Sequence, residues 1–129
     1  MIVIIMNKSM KENYTSLNQA SKLSEFLDIR TSDATYERIA IAGAALGVPE
    51  EMQYKLNTNM PFWLYSGIGV PAWSLTALLE LLPEAMLIKN KDGYELMFET
   101  VGGVITTKTD DPVHTCVDMI VKLHEQNIL

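Results

Sequence analysis

Reactive side chains gather near the C-terminus, where Asp110, Asp111, His114, Cys116 and Asp118 fall within nine residues. An imidazole among carboxylates suits acid–base work or metal binding, and a thiol near an imidazole suits nucleophilic catalysis. Spacing decides against the thiol. On a helix His114 and Asp118 share a face at i,i+4, whereas Cys116 points roughly 160° away from either, so a Cys–His dyad is excluded. The residue types then read as a helix start: Asp110 or Asp111 caps it, His114 stands exposed in its first turn, and Cys116 packs as a small hydrophobe. Asp110, Asp111, His114 and Asp118 form a candidate polar cluster, to which the sequence assigns no metal, no cofactor and no catalytic residue.

A second concentration is aromatic. Phe62, Trp63, Tyr65 and Trp73 place four of the ten aromatic residues (two Trp, five Tyr, three Phe) within twelve positions. Such a group packs a loop onto a core, or forms a contact surface for protein, base or sugar. No basic residue occurs from Asn57 to Ile88, which argues against nucleic acid because stacking platforms are normally joined to a positive groove. Trp73 is the residue expected in the core. Phe62, Trp63 and Tyr65 are the candidate interface or ligand surface. Gly67-Ile68-Gly69 and Gly102-Gly103 are not phosphate loops, since no Gly-Lys-Ser/Thr follows either and the second pair lies between strands.

The elements that must position these groups follow from local signals. Ser16 with Gln19 forms a capping box before apolar residues at helical spacing, predicting a helix over 16–28. Thr31-Ser32-Asp33 followed by an alanine-rich run reads as a helix over 33–46, although Thr35-Tyr36 and Arg38-Ile39-Ala40-Ile41 also suit a strand. Between Val48 and Val70 no period persists, and proline, glycine and asparagine punctuate what reads as a long loop. Ser74 starts a short helix over 74–82 that Pro83 ends. Alternation in Tyr94–Thr100, with turn residues at 90–93 and 102–103, predicts a three-stranded antiparallel meander over about 86–108. Asp111-Pro112 starts a last amphipathic helix over 112–126. The fold class is α+β: one meander packed with three to four helices in a single domain over 10–129. Residues 1–9 are a short strand or an extension upstream of a second start at Met10.

The chain is 129 residues long with a net charge of −6, 16 acidic residues standing against 10 basic ones. That balance weighs against nucleic-acid binding, which needs clustered Lys and Arg. It also lacks the carboxylate density of a DNA mimic. Cys116 is the single cysteine, so no disulfide forms within the chain and a reducing cytoplasm is the natural setting. Asn57 to Leu79 carries no charge and is long enough for a membrane span. Pro61, Pro71 and Ser66-Gly67-Ile68-Gly69 would break such a helix in lipid, so no membrane is implied.

Three segments stand in a recognisable order: Tyr14 to Leu23, Pro71-Ala72-Trp73-Ser74-Leu75-Thr76-Ala77-Leu78-Leu79-Glu80-Leu81-Leu82-Pro83, and Asp111 to Ile120. Together they resemble a family of small proteins from phages, prophages and mobile elements of gut Bacteroidetes. The likeness spans 10–129, and the tryptophan segment is its most specific part. It departs at Thr31-Ser32-Asp33-Ala34, where relatives often carry Ser-Ala-Asp-Met. The resemblance implies a genomic setting and no catalytic residues. Acidity, the lack of a composed catalytic site and the uncharged aromatic segment lead to one expectation, a noncatalytic cytoplasmic protein acting through contacts with a protein partner or with itself. The alternative is a small-ligand-binding protein or enzyme using the 57–73 segment with the start of the last helix.

Overall fold

The computed structural model describes residues 13–39, 53–65 and 67–129. The chain divides into two compact units, one of residues 16–73 and one whose described residues are 13–15 and 74–129. The expected strand or extension over residues 1–9 lies outside the described residues. Across the described residues the fold is α+β, with three α-helices and two three-stranded antiparallel sheets.

In the first unit, α1 spans Leu17–Ser24 behind the capping box anticipated from sequence: Ser16 Oγ accepts from the Gln19 amide and Gln19 Oε1 accepts from the Ser16 amide. The helix stops short of residue 28. Ser24 Oγ turns back to the Ser21 carbonyl, and Asp28 caps a separate 3-10 turn over Ile29–Thr31. The run read as a helix over 33–46 begins as a strand, β1, over Ala34–Arg38, and residues 40–46 lie outside the described residues. β1 is the centre of a sheet, pairing with β2 (Tyr54–Asn57) on one side and β3 (Gly69–Ala72) on the other. Pairing on both edges supplies hydrogen bonds that a helix would have made internally, and Thr35-Tyr36 suits the pleat. Ala34 and Ala72, opposite each other and both 0% exposed, leave room for α1 against β3.

The stretch read as one long loop over 48–70 is therefore partly structured, holding β2, a 3-10 turn over Phe62–Leu64 and the start of β3. Pro71 sits on an edge strand, where its missing N–H is tolerated.

The second unit holds α2 (Leu75–Glu80), shorter than the expected 74–82 because Ser74 is its cap and the chain leaves helical geometry after Leu81. Its sheet runs β4 (Met86–Asn90), β5 (Gly93–Thr100), β6 (Gly103–Thr109) in chain order. The glycine closing the first hairpin is required. Gly93 has φ +136°, and a Cβ there would run into the Thr109 carbonyl. Leu87, Leu96 and Thr107 lie in one register row and are buried, facing the side on which α3 (Pro112–Glu125) packs. Two residues past the end of α3, Asn127 takes φ 58°, and there the Ile128 amide reaches back to the Leu123 carbonyl and the Asn127 amide to that of His124. No helix among the described residues is long and apolar enough to cross a membrane.

Candidate functional site

The aromatic segment is built onto the sheet of the first unit. Pro61, extended at φ −60° and ψ 144°, starts the turn over Phe62–Leu64, in which the Leu64 and Tyr65 amides bond the carbonyls of Pro61 and Phe62. The segment is tied down at its approach: buried Thr35 on β1 donates its hydroxyl to the Met60 carbonyl at 2.7 Å. Beside it packs the turn over Ile29–Thr31, stiffened by Asp28, whose carboxylate accepts the Arg30 amide and lies 2.9 Å from its guanidinium. Hydrogen bonding to Arg30 holds the Asp28 carboxyl below its ordinary value.

Tyr65 explains the two glycines that follow it. A Cβ on Gly67 would strike the Tyr65 ring and hydroxyl, and one on Gly69 would stand 2.7 Å from the Tyr36 carbonyl and 3.0 Å from Tyr65 Cε2. The ring thus lies against Gly67 and Gly69 at the approach to β3, with its hydroxyl 3.4 Å from the Ile68 carbonyl. Gly67-Ile68-Gly69 is a seat for an aromatic ring.

This packing sorts the four aromatics. Trp73 is fully buried and its indole N–H donates to Thr31 Oγ1 at 2.9 Å, as its expected core role requires. Phe62 and Tyr65 are half-buried against the sheet. Trp63 remains 49% exposed, and beside it in sequence Leu64 is 58% and Ile68 72% exposed. Leu64 and Ile68 are the members that sequence reasoning missed, since an isolated aliphatic residue in an uncharged run carries no signal of which way it points.

The polar cluster belongs to the second unit and resolves into separate tasks. Asp111 caps α3, its Oδ1 accepting from the Val113 amide at 2.8 Å. Asp110 is exposed. His114 Nε2 lies 3.3 Å from Asp118 Oδ1, an i,i+4 pair with both side chains about half in solvent. Among the described residues no three of His, Cys, Asp and Glu converge as a metal site. Cys116 is buried on the opposite face of the helix.

A hydroxyl network under the cap was not anticipated. Thr115 Oγ1 stands 2.6 Å from Thr109 Oγ1, both hydroxyls reach the Asp111 carbonyl, and Thr107 Oγ1 donates to the Thr115 carbonyl at 2.9 Å. Threonine hydroxyls therefore bolt β6 to the first turn of α3, spending polar groups near the acidic cluster on structure.

Burial pushes the Cys116 thiol up to about 12, with a smaller contribution from the nearby negative Asp111. The folded chain holds the thiol proton where the unfolded chain has released it. Stability contributed by Cys116 is thus complete below about pH 9 and declines as pH rises from there towards 12, by about 1.4 kcal/mol per pH unit. Urea unfolding of the parent and Cys116→Ala from pH 7 to 11 is expected to show this extra decline in the parent alone; parallel curves would remove the thiol as its cause.

No protein-family model, no curated protein and no solved structure matches this chain.

Proposed function

We propose that the chain is a noncatalytic, cytoplasmic protein encoded by a phage or mobile element, working through contact with a protein partner at the exposed side chains of Trp63, Leu64 and Ile68. The observation that carries this reading is the exposure of Trp63 and Leu64, on the turn whose approach Thr35 ties to the sheet, and of Ile68 at the entry to β3. Exposed large apolar side chains held in a fixed turn are the material of protein-contact hot spots, where tryptophan is enriched. An uncharged segment adds no desolvation penalty for buried charge when a partner covers it. The resemblance to proteins of phages and mobile elements supports the genomic setting, and the single buried cysteine supports a reducing compartment.

The test compares the tagged parent with a variant carrying Trp63→Ser, Leu64→Ser and Ile68→Ser, expressed in the cells that carry the gene. All three side chains are exposed, so the variant should unfold at a urea midpoint close to the parent's. A protein recovered in stoichiometric amount with the parent should fall at least about tenfold with the variant, the equivalent of about 1.4 kcal/mol. Equal recovery from both would reject residues 62–68 as the contact surface.

A further inference from the structure

The sheet of the second unit has one edge suited to pairing. β6 ends the order β4-β5-β6, and among the described residues no strand lies on its outer side. Its turn of Val101 and Gly102 makes Thr100 and Gly103 a hydrogen-bonding pair, and alternation then turns the N–H and C=O groups of Val104, Thr106 and Lys108 away from β5. All three residues are exposed. Edge strands are ordinarily guarded by proline, a bulge, shortness or inward charge. β6 has seven residues of sequence Gly-Val-Ile-Thr-Thr-Lys-Thr, paired with β5 without a break in register and guarded by Lys108 alone. The other edges are blunter: β3 contains Pro71, β2 has four residues, and β4 is shorter with Leu87 buried among its outward groups.

We infer that β6 pairs antiparallel with β6 of a second copy of this chain, about a two-fold axis at Thr106, joining two three-stranded sheets into one of six strands. In that register Thr106 faces its own counterpart, a favourable cross-strand pair, and Val104 faces Lys108 of the second copy. Glu99 lies opposite Val104 on β5, so Glu99, Val104 and Lys108 of the second copy occupy one row on one face. Two strand spacings, roughly 10 Å between Cα atoms, lie within the combined reach of a lysine and a glutamate side chain, and the lysine stem covers Val104 on the way. Lys108, the residue that would guard the edge against other strands, faces Glu95 across its own hairpin and gains a second carboxylate in this pairing. On its own chain its Nζ lies 3.9 Å from Asp92 Oδ2, at the outer limit of an ion pair. The pairing closes on itself, because a two-fold axis uses the same edge of both copies and leaves β4 as the new border. It rests on the second unit alone and is independent of the contact surface at residues 62–68.

Sedimentation velocity on the full chain tests it. The parent is expected to sediment as a dimer. Thr106→Pro removes one outward N–H and none that β5 uses, so this variant should keep its circular dichroism spectrum and sediment as a monomer. Should proline unfold the hairpin, charge variants carry the decision. Lys108→Glu is expected to weaken association at least about tenfold, since the change is felt twice in a two-fold interface, and Glu99→Lys on top of it to restore most of the loss. A monomeric parent at the highest soluble concentration, a folded Thr106→Pro variant that remains dimeric, or charge reversal without effect would each overturn the inference.

Discussion

Replacing Trp73 with alanine is expected to lower the stability of the protein by roughly 3 to 5 kcal/mol, the range for removing a large aromatic from a closed core. Two losses contribute. The indole is 0% exposed, so its whole surface returns to water on unfolding and its removal leaves a cavity. Its N–H also satisfies Thr31 Oγ1 in the turn that packs against residues 62–64. Trp73→Phe separates them, keeping most of the volume and removing the donor, and should cost about 1 to 2 kcal/mol. Urea midpoints of the three proteins check this. A loss under about 1 kcal/mol for the alanine variant would mean that the indole fills no closed core.

The second large effect belongs to the sheet of the other unit. Leu96 is on the central strand, 0% exposed, in a row with Leu87 and Thr107. Leu96→Ala is expected to cost about 2 to 5 kcal/mol. Met97, one residue on and facing the other way, is half-buried, and Met97→Ala should cost about 1 kcal/mol or less. The contrast between neighbours reads the register directly, because a one-residue slip would exchange the two faces. Equal costs at 96 and 97, measured by chemical denaturation, would contradict the pairing.

The second unit was legible because its signals are local. Tyr94 and Leu96 alternate with polar neighbours, Gly93 and Gly103 take positive φ in the turns, and Asp111-Pro112 starts α3, so strands and helix follow from residues a few positions apart. In the first unit α1 and the burial of Trp73 were legible, while over β1 the residues suited helix and strand alike. β1 pairs with β3 across 38 residues at Ala34 and Ala72, and its first three residues are all buried, so it shows neither alternation nor a turn signal. Its alanine suggested helix propensity, while tertiary pairing on both edges decided the outcome. β2 and β3 have four residues each, among the proline, glycine and asparagine that argue for a loop.

The candidate surface was half legible. Phe62, Trp63 and Tyr65 stood out by type, and Trp73 was separated from them as core. Which ring lies against the sheet depends on Gly67 and Gly69 accepting Tyr65, a contact made by folding. The acidic helix start lost its chemical interest once Asp111 served as a cap and the threonines took up the surrounding carbonyls.

If Trp63, Leu64 and Ile68 meet another protein as proposed, photo-crosslinking at position 64 captures it. A diazirine-bearing leucine analogue placed at position 64, with the same group at exposed Thr76 on α2 as control, is irradiated in living cells that carry the gene. One dominant adduct of defined mass is expected from position 64 and none from position 76. Position 64 quenched by water or crosslinked within its own chain, with no adduct to another molecule, would contradict it.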